Sequence, residues 1–97
     1  MIKSFKTKGT EDIARGINSK SARKILPVDL QNSALMRIGV LDSIKSLEQL
    51  IPIHGFKLHK LSRDRRDQYA IRINDQFRIC FVWDGKDAHN VEVIDYH

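Results

Sequence analysis

Three places in this chain hold residue types suited to acid–base or phosphate chemistry. His59 lies in Phe56-Lys57-Leu58-His59-Lys60-Leu61, flanked by cations. An imidazole there can exchange a proton near neutral pH while the lysines attract an anion. Arg78 falls inside the alternating run Phe77 to Trp83, so its side chain leaves the strand on the face opposite Phe77 and Ile79. A guanidinium presents a planar fork that matches phosphate oxygens. The sequence closes on Asp95-Tyr96-His97, where an extended backbone turns Asp95 and His97 to one face and Tyr96 to the other. Each has a plainer reading: a surface histidine, an arginine paired with Asp95 or Glu92, a frayed last residue. His54 and His89 read as solvent-facing. A His59/Asp95/His97 metal site lacks the local ligand pairs that mark zinc sites, so neither a metal nor another cofactor is expected.

The elements that must position these groups can be read from periodicity. Met1–Lys6 sets Ile2 and Phe5 among lysines, the pattern of a short edge strand. Thr10-Glu11-Asp12 reads as a helix start for Ile13, Ala14 and Ile17, ending near Gly16 to Asn18. Ser19–Lys24 reads as a connection or frayed turn. Pro27 then opens an amphipathic helix of about four turns through Leu30, Ala34, Leu35, Ile38 and Leu41. Ser46 and Gln49 have capping-box spacing for a further short turn. After Gly55 the period becomes two. Tyr69, Ile71 and Ile73 form one strand, Phe77, Ile79, Phe81 and Trp83 a second, and Val91–His97 a third, with turns at Asn74-Asp75 and Asp84-Gly85. Tyr69, Phe77, Phe81 and Trp83 read as core rather than as a base-stacking platform. The expected class is α+β: an N-terminal strand and two to three helices packed on a small antiparallel sheet that ends in a C-terminal meander.

Composition bounds the partners. The 97 residues include 17 basic and 12 acidic ones, for a net charge of +5, and 41% are hydrophobic. That is one globular domain, residues 1–97, without room for a second. The charge is uneven: residues 1–24 carry a net +5 and residues 57–72 a net +4. Two basic segments suit a polyanion, since each phosphate neutralised releases counterions. Lys57, Lys60, Arg63 and Arg72 are the candidate contacts. No apolar run approaches the ~20 residues of a membrane helix, and Met1–Lys6 has no apolar signal core. The lone Cys80 forms no internal disulfide. A cytoplasmic protein with no membrane partner is expected.

Four stretches carry a family resemblance: Met1–Gly9, Gly55–His59, Arg72–Phe81 (RINDQFRICF) and the closing Asp95-Tyr96-His97. In this order and spacing the chain resembles the HigB toxins of the RelE/ParE toxin–antitoxin superfamily. The resemblance implies a RelE-like, microbial-ribonuclease-like sheet. It also implies a metal-independent endoribonuclease (an mRNA interferase) that enters the A site of the 70S ribosome and cuts translated mRNA. The implied chemistry is attack of a ribose 2′-hydroxyl on the adjacent phosphate. His59 then matches an acid/base histidine, Arg78 the arginine against the scissile phosphate, and Asp95, Tyr96 and His97 the terminal group, with His97 a second acid/base. Where relatives read Leu-His-Pro-Leu-Lys-Gly-Asp, this chain reads Leu58-His59-Lys60-Leu61-Ser62-Arg63-Asp64. The family lysine falls at Ser62, so Lys60 or Arg63 supplies its charge from a shifted position, or cleavage is slower. The resemblance further implies a HigA-like helix-turn-helix antitoxin as partner, and operator DNA bound only through that complex. A ParE-like gyrase poison and a non-catalytic RNA-binding module are the alternatives.

Overall fold

Side-chain caps set the helical third of the molecule. The computed structural model describes residues 1–61 and 67–95. Helix α1 spans Lys8–Ala14, α2 Lys20–Ile25 and α3 Val28–Ser43. Thr7, rather than the expected Thr10, caps α1: its Oγ1 accepts from Thr10 N at 3.3 Å. Thr10 lies inside the helix and is fully buried, and its Oγ1 accepts from the strand amide of Val93 at 3.0 Å. A buried strand N–H needs a partner, and that demand places Thr10 in the interior. Ser19–Lys24 also differs from expectation, since it starts a true helix. Ser19 Oγ caps Ala22 N at 3.0 Å and donates to Asp12 Oδ2 at 2.6 Å, while Ala22 is fully buried. Gly9 permits the close approach of α1 to α2, because a Cβ there would lie 2.5 Å from Ser21 O. In α3, Ala34, Ile38 and Leu41 are buried on the expected stripe. A 3₁₀ turn at Leu47–Leu50 carries the expected capping box, with Gln49 Oε1 accepting from Ser46 N at 3.3 Å.

The sheet is antiparallel in the order β1 (His59–Lys60), β2 (Gln68–Arg72), β3 (Phe77–Trp83), β4 (Ala88–Asp95). The expected meander is β2 to β4. The two-residue β1 adds a fourth strand where the sequence offers no period to reveal one. The N-terminal segment runs beside β4 as two parallel bridges, Ile2 to Ala88 and Phe5 to Val91. Between the pairs Cys80–Glu92 and Val82–His89 the ladder shifts register. Asn90 sits there with φ 53°, and its N–H donates to Ser4 Oγ at 2.8 Å. Asparagine tolerates this left-handed geometry.

One sheet face packs on the helices through Ile71, Phe77, Ile79 and Phe81, with the Tyr69 and Phe81 rings stacked at 6.1 Å. The aromatic residues are therefore core, as the alternation requires. His89, expected in solvent, instead has a side chain 35% exposed with Nε2 2.6 Å from Asp84 Oδ2.

Candidate active site

Cross-strand register decides which side chains share the other sheet face. His59 lies opposite Ala70, Ala70 opposite Cys80, and Cys80 opposite Glu92. In the next row Arg72 lies opposite Arg78, and Arg78 opposite Ile94. Residues paired across strands project to one side, so His59, Arg72, Arg78 and Glu92 all stand on the face turned away from the helices. Its floor is apolar: Leu61, Ala70 and Cys80 are buried together with Ile94 packed against them.

The Arg72–Arg78 pair is the unusual feature. Like charges directly opposite each other cost up to ~1 kcal/mol relative to neutral pairs. Neighbouring groups offset this cost. Arg72 Nη2 pairs with the Asp75 carboxylate, and Arg78 Nη1 donates to the carbonyl oxygens of Asn74 and, at 3.1 Å, Phe77. The Arg72 hydrogen bond, followed by its charge and those of Lys57 and Arg78, holds the Asp75 carboxyl below the usual carboxylate range. Lys57, Arg72 and Arg78 thus converge around one turn. Asp75 itself is 98% exposed, so it stabilises the cluster only modestly.

His59 borders this cluster. Lys57 adopts φ 48°, which brings its carbonyl 3.3 Å from His59 Nδ1. A carbonyl only accepts, so the contact favours the tautomer with a proton on Nδ1 and a lone pair on Nε2. The ring is exposed.

Support comes from α3. Arg37 Nε donates to Arg72 O at 2.8 Å, and its guanidinium lies 5.2 Å from the Phe56 ring centre. The Arg72 amide in turn donates to Phe56 O at 2.7 Å. Burial, then the charge of Arg72, lowers the Arg37 pKa from its ordinary value. Sequence reading passes over Arg37, which looks like any polar residue between apolar helix positions.

Other expected site residues are placed apart. Asp95 lies opposite Phe77, on the helix side of the sheet, where its Oδ2 accepts from Gln76 Nε2 at 3.1 Å. It borders a hollow of about 450 Å³ with Arg23, Lys24, Pro27 and Phe77. Lys60 lies opposite Tyr69, on the face away from His59, because consecutive strand residues alternate. Ser62, Arg63, Tyr96 and His97 lie outside the described residues.

The HigB-like toxin family, RelE-like toxins of the type II toxin–antitoxin system HigB, matches residues 3–97. The chain belongs to this family. The Endoribonuclease HigB of Proteus vulgaris is 34% identical to it over 98 aligned positions, covering 100% of both chains. The molecule is therefore a HigB-like type II toxin and the homologue of an endoribonuclease, as the motifs of the sequence implied. The α+β architecture, helices against a four-strand antiparallel sheet, is compatible with a RelE-like fold. Among the described residues no helix is long and apolar enough to cross a membrane.

Proposed function

We propose that this HigB-like toxin cuts mRNA in the ribosomal A site by attack of a ribose 2′-hydroxyl on the neighbouring phosphate. The carrying observation is the Arg72–Arg78 cross-strand pair on the face that also bears His59. Two guanidiniums set side by side against their own repulsion have a physical use when a dianionic phosphorane forms between them and a third group. Arg78 stabilises that charge. Arg72 and Lys57 hold adjacent phosphates. One base takes the 2′-hydroxyl proton as the 2′-oxygen bonds to phosphorus. One acid then protonates the departing 5′-oxygen, leaving a 2′,3′-cyclic phosphate and a 5′-hydroxyl. His59 fills one of these roles through Nε2, and His97 the other, with Tyr96 against a base or the phosphate. Asp95 anchors the end of β4 through Gln76. With Lys60 on the helix side of the sheet, either Arg63 supplies the charge of the lysine absent at Ser62 or cleavage is slower. The guanidiniums supply the positive charge, so no metal takes part in this reading.

A HigA-like antitoxin is proposed to bind the N-terminal helices, within a segment (residues 1–24) that carries a net +5. An acidic partner face is steered there. Ile2, Phe5, Leu35 and Ile38, together with Arg15 and Asp42, line a hollow of about 260 Å³ between the N-terminal segment, α1 and α3, which gives such a partner a mainly apolar seat with one charge of each sign. Added bulk then bars A-site entry, and operator DNA is bound through the antitoxin's recognition helix. Amide exchange on the complex tests this: protection at His59 and Arg78 with none in 1–24 overturns it.

The activity itself is tested in cell-free translation with a labelled message and added chelator. Message cleavage that needs ribosomes and survives chelation is the expected result. Inhibited gyrase supercoiling with intact message identifies a ParE-like poison, and RNA binding without cleavage identifies a passive module. Either one refutes the proposal.

A further inference from the structure

The face bearing the arginine pair does not stop at β4. Lys6, in the N-terminal segment, donates its backbone N–H to Val91 O at 2.9 Å, so the segment acts as a further lane of the sheet. Its neighbour Phe5 packs against the core, and Lys6 turns the other way. The Lys6 ammonium lies 3.7 Å from Glu92 Oε1. Glu92 stands opposite Cys80, on the same side as Arg78. The two side chains differ sharply in exposure, 9% for Glu92 against 53% for Lys6.

A carboxylate sunk into a face that receives a polyanion repels it unless a cation accompanies it. At 3.7 Å the pair is an ion pair rather than a tight hydrogen bond. The Lys6 side chain stays 53% exposed beside Glu92, and as a compact point charge its ammonium can serve Glu92 and an incoming phosphate together. Lys6 lies two strand spacings across from β3, about 10 Å, and Arg78 two residues further along, about 7 Å, so a phosphate it meets lies about 12 Å along the RNA-binding face from the one at Arg78.

We propose that Lys6, held over the β4 edge by Glu92, is a phosphate-contacting residue that extends the RNA-binding face beyond Arg72 and Arg78. Lys6 is the contacting group and Glu92 its positioning residue. The inference rests on the proposed ribonuclease reading but is tested without cleavage. The probe is a labelled, uncleavable 2′-O-methyl single-stranded RNA, titrated by anisotropy at several salt concentrations. The variants are Lys6→Ala, Lys6→Arg, Glu92→Gln, the pair Lys6→Ala/Glu92→Gln, and the charge-matched control Lys45→Ala, each checked for folding by thermal melt.

Losing one phosphate contact lowers the log–log salt slope by about 0.7, so a fourfold rise in salt should weaken Lys6→Ala about 2.6-fold less than wild type. Lys6→Arg should restore the slope, and Lys45→Ala should match wild type. The Lys6→Ala effect should shrink in the Glu92→Gln background, as coupled residues require. A Lys6→Ala slope equal to wild type or to Lys45→Ala overturns the inference, as does wild-type protein that fails to bind the RNA. An undiminished Lys6→Ala effect in the Glu92→Gln background removes Glu92 from it. If Arg78→Ala abolishes cleavage while Lys6→Ala keeps the wild-type slope, only the role of Lys6 falls. If wild type cleaves nothing, the ribonuclease reading falls, whatever the slopes show.

Discussion

If Arg78 stabilises the phosphorane as proposed, replacing it by alanine separates catalysis from folding, because the two effects differ in size. On the stability side, the change removes the guanidinium bonds to the Asn74 and Phe77 carbonyls. Each would stabilise by about 1.5–3 kcal/mol if fully buried. The side chain is only half-buried at a turn, so water replaces much of that on loss. The change also relieves the repulsion across to Arg72, a gain of up to ~1 kcal/mol. These contributions oppose each other, leaving a net loss of about 1–2 kcal/mol, or a Tm fall of roughly 4–16 °C for a chain of this size. On the catalytic side, one preorganised donor to a developing oxyanion is worth about 2.7–4 kcal/mol, or 10²–10³ in rate. Arg78→Lys keeps the charge without the fork and should fall between. The assay is primer extension on message from programmed ribosomes, with thermal melts of the same preparations. Arg78→Ala that melts within these limits and cleaves within threefold of wild type would refute the argument, leaving the arginine pair a packing feature.

Three further outcomes concern the scaffold. Thr10→Val keeps the shape but leaves the buried Val93 amide without its acceptor, so it should cost about 1–3 kcal/mol in urea unfolding. Gly9→Ala drives a Cβ against the Ser21 carbonyl, and overpacking of that kind should cost about 1–3 kcal/mol by the same measurement. Asp84 is held well below the usual carboxylate range, first by the Asp87 amide, then by His89 and the Lys86 amide. Its folded pKa is depressed, so its contribution is present above the unfolded value near 3.8 and lost as pH falls toward the folded pKa. Melts from pH 5 downward should therefore show a shallower acid loss for Asp84→Ala than for wild type, and parallel curves would contradict this.

Much of the architecture follows from local physics that the chain states openly. Alternation from Tyr69 to Trp83 gives two strands, and the Asp84-Gly85 turn gives the third by its geometry. The stripe Ala34, Ile38, Leu41 gives α3, and the spacing of Ser46 and Gln49 gives its small successor. The same alternation places Arg78 away from the core, since the period of a strand is a property of single residues. The motifs of the sequence also carry the family, now matched over residues 3–97.

What no stretch of sequence contains is pairing. Arg72 facing Arg78 depends on the β2–β3 register, Arg37 reaching the Arg72 carbonyl depends on how α3 crosses the sheet, and Lys6 reaching Glu92 depends on the N-terminal lane beside β4. Thr10 shows the same limit from the other side. Its sequence neighbours make it a plausible cap, yet an unpaired amide 83 residues away draws it into the interior. Lys60 and Asp95 sit in the right segments but on the helix side of the sheet, because a one-residue step in a strand reverses the face. Local periodicity fixes what each segment becomes. Only the satisfaction of buried polar groups and the packing of distant segments decides which charges meet.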